Sequence, residues 1–301
     1  MSRKRKRGLQ VLNIAALVVT LVVNALANYL PLFGRTTGEV ADALPNLFVP
    51  AGLTFSIWGV IYLLLVMFVI WQARDLFSRE EEEMPFLGQL GPWFALASLG
   101  NVSWLFVYHA GLIVLSLVPM ALLFASLLVA YRRMRIGRAP ARLGDRLAVH
   151  LPFSVYIGWV SIAVIANVAV ALVAIGWQGE PLPEAFWAIL MIAVGAALGV
   201  LMLARRGDLF FALVVIWAYI GIIIARLQAD DATSVAVAAG AAVAVLVAAI
   251  LLLLPRNGIY RSRVLQRTPV GGTLRFVACS KAYANSRSRG SLQAPPVKLT
   301  P

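Results

Sequence analysis

The chain has 301 residues, 61% of them hydrophobic and only 13% charged, with a mean hydropathy of +0.86. This excludes a soluble domain wrapped around one core and indicates a polytopic membrane protein. The net charge of +13 is not the footprint of a nucleic-acid binder, because the basic residues stand between apolar runs and in the two tails. One cysteine, Cys279, leaves no disulfide framework or cysteine metal site, and His109 and His150 sit at run ends without ligand spacing, so no metal or cofactor is expected.

Residues 1–8 form a basic tail around SRKRKR, followed by an apolar run over 9–30. A signal peptide cleaved after Ala25-Leu26-Ala27 is the alternative for this segment. The length of the run, and Asn13, Asn24 and Asn28 close to one helical face, favour a retained first span. After a loop over 32–49, Pro50, Ala51 and Gly52 open a second span over 51–72, in which Phe55, Trp58 and Tyr62 share a face. A polar loop over 73–90 contains Glu80 to Glu83. Spans 3 (92–108) and 4 (112–131) are joined so tightly at His109–Gly111 that they must form an antiparallel hairpin. Six arginines fill 132–146. Span 5 covers 149–174, and spans 6, 7 and 8 cover 185–204, 209–227 and 233–254, with Pro255 ending the last. The tail over 256–301 has nine basic residues, no acid, and many Ser, Gly and Pro. It is expected to be disordered and suited to an anionic lipid surface.

Eight spans put both termini on one side. That side then holds 24 of the 26 lysines and arginines, leaving only Arg35 and Arg226 opposite. The asymmetry predicts both termini in the cytoplasm and a bacterial-type inner membrane.

No Asp, Glu, Lys or Arg lies in the middle of a span. Ion- or proton-coupled transport usually needs such a residue, and hydrolytic chemistry needs a titratable base. The polar content is instead amide and aromatic. Asn101, Trp104 and Tyr108 follow at i, i+3, i+7, and Tyr156, Trp159, Ala163 and Asn167 at i, i+3, i+7, i+11. Helix packing explains each face singly, since interhelical hydrogen bonds average about 0.6 kcal/mol and aromatic pairs about 0.5–1.5 kcal/mol. Three such faces together also suit an apolar, aromatic pocket for a flat hydrophobic molecule. Trp71, Trp93, Trp177 and Trp187 fit interfacial belts, and Trp217 within span 7 has no reading from spacing.

These faces resemble the TspO/MBR family, the translocator or tryptophan-rich sensory proteins. Pro50, Phe55, Trp58, Tyr62 and Trp71 look like its second-helix pattern, Asn101 and Trp104 its third-helix Asn-x-x-Trp, and Tyr156, Trp159, Ala163 and Asn167 its fifth-helix pattern. The resemblance covers 9–175 and implies a five-helix core with a ligand pocket, binding of tetrapyrroles, sterols or synthetic aromatic ligands, and frequent homodimers. The chain departs from the pattern at Val49, where the family has a first proline, and at Gly52, where it has a tryptophan that contacts tetrapyrroles. Pro152 lies further from Tyr156 than the family places its proline, and after Asn167 only VAVALVAIGW follows, without a sterol motif.

The expected fold is therefore an all-α polytopic membrane protein of about eight transmembrane helices. A five-helix core over 9–175 precedes three additional helices over 176–255. The expected function is non-enzymatic binding of a hydrophobic aromatic ligand, tetrapyrrole- or sterol-like. The ligand residues would be Trp58, Tyr62, Asn101, Trp104, Tyr156, Trp159, Ala163 and Asn167. Alternatives are a permease for a neutral hydrophobic solute and a scaffold or regulator with no small-molecule ligand. The lipid bilayer is the expected partner, with a homodimer implied by the resemblance and nucleic acid excluded.

Overall fold

A computed structural model describes residues 1–29, 32–35, 37–78, 80–230 and 232–267. Among them the chain is helical, without strands. The long helices are α1 (Arg3–Tyr29), α3 (Ile57–Ala73), α5 (Trp93–His109), α6 (Ile113–Arg133), α8 (Leu151–Ala174), α9 (Glu184–Arg206), α10 (Leu209–Ala229) and α11 (Thr233–Arg267). Shorter helices are α2 (Thr37–Asp42), α4 (Pro85–Leu90) and α7 (Leu143–Asp145). The chain falls into two units, Met1–Asn257, which holds the bundle, and Gly258–Pro301.

Seven of these segments are long and apolar enough to cross a membrane: α1, α3 with its preceding turn, α6, α7 through α8, α9, α10, and Thr233–Leu254 of α11. At 17 residues α5 is shorter, and it reaches about 25 Å at about 1.5 Å per residue. It packs along α6, joined by a turn at Ala110–Leu112 in which Gly111 takes φ +77°. That left-handed conformation strains a residue with a Cβ, and it is what lets so short a link reverse the chain.

Several elements differ from the sequence reading: α1 starts at Arg3, inside the basic tail, and α2 and α4 stand in the segments read as loops. The second span opens as a 3-10 helix, Gly52–Ser56, before becoming α-helical at Ile57. Helix α11, expected as the eighth span with its end at Pro255, runs on to Arg267, whereas its apolar stretch ends at Leu254. Residues 268–301, most of the tail expected to be disordered, lie outside the described residues.

Helix α8 is the axis of the bundle. It packs against α3, α6 and α10, and 56% of its span is buried inside the protein, against 11% for α11. Phe68 of α3, Phe94 of α5 and Phe153 of α8 meet edge to face, with centroids 5.2–6.0 Å apart, and lock these three helices together. Helix α1 lies on α3 and α5 and presents them a polar seam. Near its start the buried Lys6 pairs with Asp75 and donates to the Glu82 carbonyl at 2.5 Å. One turn on, Gln10 donates to Asp75 (2.8 Å) and to the Gln72 carbonyl (2.6 Å), and Asn13 donates to Gln72 Oε1 (2.8 Å).

Helix α10 ties the C-terminal helices to the rest. Asp208, at its N-terminus, is buried and accepts from Tyr131 of α6 (2.6 Å), Ser154 of α8 (2.8 Å) and the backbone N–H of Phe211 (3.1 Å). A carboxylate so buried needs these donors, and the Phe211 bond is an N-cap. Higher up, α10 presses on the segment that opens the second span. Ala51 N–H donates to the Gly221 carbonyl (3.0 Å), and Trp217 Nε1 donates to the Thr54 carbonyl (2.9 Å). A Cβ on Gly221 would lie 2.0 Å from Thr54 Oγ1, so only glycine allows this approach. Trp217, unplaced by its spacing, is thus a strut between α10 and the 3-10 turn.

Candidate functional site

A narrow cleft opens between α3, α5 and α8, with a volume of about 40 Å³. Trp58 and the preceding turn's Phe55 stand on one side, Trp159 and Ala163 of α8 on another, and Trp104 of α5 closes it with Asn167. Pro50 and Thr37 also line it. Phe55 and Trp58 both meet Trp159 edge to face, with centroids 5.9 and 6.3 Å away at interplanar angles of 88° and 87°. Helical spacing explains why these side chains converge. Residues three and four apart lie above one another, so each helix contributes a column of rings to the same wall.

The polar groups of the cleft are few and mostly spoken for. Trp104 Nε1 donates to Asn167 Oδ1 (2.6 Å), and Asn167 Nδ2 donates to Ser116 Oγ (2.9 Å). Ser116 in turn donates to the Ile113 carbonyl (2.6 Å), so α5, α6 and α8 are joined by one chain of hydrogen bonds. The exception is Trp159. The residue is 2% exposed, and among the described residues its indole N–H is buried without a hydrogen-bond partner. A donor in that state costs roughly 1–3 kcal/mol.

Of the eight residues singled out by spacing, Trp58, Trp104, Trp159, Ala163 and Asn167 line the cleft. Tyr62, Asn101 and Tyr156 stand behind it instead. Tyr62 stacks on Trp58 (5.7 Å, 24°) and donates to Asn24 Oδ1 at 2.6 Å. Asn24 Nδ2 donates to Asn101 Oδ1 at 2.9 Å, and Tyr156 meets Trp58 edge to face at 6.0 Å. Tyr62 and Tyr156 hold the Trp58 ring, and Tyr62 and Asn101, through Asn24, tie α1 to α3 and α5. Tyr108, which stacks on Trp104 at 4.9 Å, also lines the cleft, as do Ile162, Ala166 and Val170 of α8. Their spacing from Trp159 and Asn167 was the available signal.

His109 lies at the end of the Trp104 face, fully buried, with Nδ1 2.7 Å from the Leu105 carbonyl and Nε2 3.3 Å from Thr37 Oγ1. Among the described residues no group of His, Cys, Asp and Glu is arranged to hold a metal. The Cβ direction of Gly52, where the resemblance places a tryptophan, points into open space. The arrangement presents aromatic rings and one buried, unpartnered hydrogen-bond donor to the cleft.

No curated protein and no solved structure matches the chain. The model of the family described as TSPO-like protein matches residues 10–252, from α1 into α11. With most of its length inside that match, the chain belongs to the TSPO-like protein family.

Proposed function

We propose that this membrane protein binds a flat, hydrophobic aromatic ligand in the cleft between α3, α5 and α8, without covalent chemistry. The observation that carries the proposal is the Trp159 N–H, buried and unpartnered in an aromatic wall. A ligand with one acceptor atom among fused rings satisfies it and covers the faces of Trp58 and Trp159. Membership of the TSPO-like family adds support, and a tetrapyrrole is the first ligand class to try. At about 40 Å³ the cleft is smaller than such a ligand, so binding requires its walls to part. The protein sits in a cytoplasmic-type membrane as eight spans with both termini inside, as its distribution of lysine and arginine supports.

The test is quenching of tryptophan fluorescence in detergent-purified protein, titrated with a porphyrin and separately with a non-tetrapyrrole polycyclic aromatic. Trp159→Phe keeps a ring and removes the N–H. It is expected to weaken binding about five- to tenfold, the worth of one hydrogen bond of roughly 1 kcal/mol. Trp159→Ala should weaken it further. Saturable quenching by the porphyrin that weakens in the Trp159 variants identifies the cleft as a tetrapyrrole site despite Gly52. Saturation by the other ligand alone assigns it to another aromatic class. Unaltered affinity in both variants overturns the site.

A further inference from the structure

A second cavity, of about 320 Å³, lies beyond the cleft, where the C-terminal end of α8 turns into α9. It is larger than the cleft and within the range of small-molecule sites, roughly 300–1,000 Å³. No residue is common to the two linings, yet they abut. Phe48 faces the cavity while Val49 and Pro50 face the cleft, and along α8 Ala169 belongs to one and Val170 to the other.

The lining is aromatic and apolar with one acidic side chain. Trp177 and Trp187 meet at 5.2 Å and 62°, and Phe48 and Met191 extend the apolar surface. Trp187 is fixed by donating its indole N–H to the Gly179 carbonyl at 2.7 Å. Glu184 is the charged residue of the lining. Among the described residues its hydrogen bond is from Leu47 N–H to Oε1 (3.0 Å), which leaves Oε2 for another donor. Gln178 adds a polar side chain.

The charge around this cavity runs against the charge of the chain. The two segments that border it, 32–49 and 175–184, hold four acids and one base, Arg35, in a protein of net charge +13. Interfacial tryptophans alone form a belt against lipid and require neither a cavity nor a carboxylate within it. Indole faces and a carboxylate around one space are what attract an organic cation, through ring quadrupole and charge together.

We propose that this cavity is a second ligand site, selective for an amphiphile that joins an aromatic body to a cationic amine or ammonium group. The rings lie against Trp177, Trp187 and Phe48, and the cation faces Glu184. This site is separate from the cleft and does not depend on what the cleft binds.

The experiment uses two probes with the same pyrenylbutyl body, one ending in a cationic trimethylammonium group and the other in its neutral, equally bulky tert-butyl counterpart. Energy transfer from tryptophan to pyrene is titrated with the full-length protein in a neutral detergent. The wild type is expected to bind the cation about fivefold more tightly than the neutral probe, against the repulsion of its net positive charge. Glu184→Gln keeps an acceptor for Leu47 N–H and should abolish that preference while leaving the neutral probe's affinity unchanged. Gln178→Arg, at an exposed position, should also weaken the cation selectively and serves if the first variant folds poorly. Trp159→Phe should leave the preference intact. No preference in the wild type, a preference that survives both lining variants, or loss of binding of both probes in Trp159→Phe would overturn the proposal.

Discussion

Asn167 shows what a single amide does inside this bundle. Its carbonyl accepts from Trp104 Nε1 and its amide donates to Ser116, so one side chain fixes a cleft wall and joins α5, α6 and α8. Asn167→Leu preserves most of the volume but leaves the Trp104 N–H without its partner. We expect a loss of about 1 kcal/mol, between the ~0.6 kcal/mol average of interhelical hydrogen bonds in membranes and the ~1–3 kcal/mol of an orphaned buried donor. Thermal unfolding in detergent measures it, and a melting temperature equal to the wild type's would show that Trp104 finds another acceptor. This site was partly legible in the sequence. Spacing of three and four places Trp104 with Asn101, and Trp159 with Asn167, on common faces, because helical geometry needs only the sequence. Spacing cannot say which member of a face meets the cleft and which meets a neighbouring helix. Asn101 and Tyr62 converge on Asn24, 77 and 38 residues away in the chain, and no local pattern encodes that meeting. The unpartnered state of Trp159 is likewise a property of the packed bundle.

Close backbone approach governs the next scale. Helix α10 reaches the turn Gly52–Ser56 because Gly221 has no side chain there, and Thr54 fills the space. Gly221→Ala is expected to cost about 1–3 kcal/mol, the usual range for forcing an atom into a packed interface. Gly52→Ala, whose Cβ meets nothing within 4 Å, should stay within about 0.5 kcal/mol of the wild type. Chemical denaturation of the two variants side by side checks this contrast, and equal losses would contradict the α10 contact. At the other end of the second span, burial pushes the Asp75 carboxyl up, but hydrogen bonds from Lys6, Glu82 N–H and Gln10, with the Lys6 charge, outweigh it and leave the pKa below its ordinary 3.8. A depressed carboxylate pKa contributes stability that is complete above 3.8 and drains away as pH falls through the lower, folded-state value. Asp75→Asn should therefore be less stable at pH 7, where Lys6 loses its counter-charge, and show a flatter decline below pH 3.8. Unfolding midpoints measured from pH 7 to 3 test both parts. Seven of the eight expected spans were legible as apolar runs that the structure folds into helices long and apolar enough to cross a membrane, since a bilayer demands length and hydrophobicity before anything else. The 3-10 opening at Gly52 and the continuation past Pro255 were not, because an apolar run is the same for either helix type and a proline marks a helix end only by tendency.

At the scale of the whole molecule, the charge asymmetry becomes a statement about which face meets the cytoplasm. Arginines and lysines resist translocation, and they gather in the N-terminal tail, 73–90, 132–146, 205–206 and the C-terminal tail. The helix that decides the parity is α5, since its 17 residues lie at the lower limit of what spans a bilayer. If α5 crosses, the even number of spans returns the C-terminus to the side of the N-terminus. If α5 stays at one interface, the termini part. Cys279 makes the distinction direct, because it is the one cysteine of the chain and lies in the C-terminal tail. A membrane-impermeant maleimide should leave Cys279 unlabelled in intact cells and label it once the membrane is opened. A complementary reporter, Gln178→Cys with Cys279→Ser, places the thiol in the loop between α8 and α9 and should label in intact cells. A fusion tag at the N-terminus, scored by protease access, completes the set and should be protected together with Cys279. Labelling of Cys279 in intact cells with a protected N-terminal tag would reduce the crossings to an odd number and remove α5 from the membrane-spanning set. The cleft would then need rebuilding, since Trp104 enters its wall from α5.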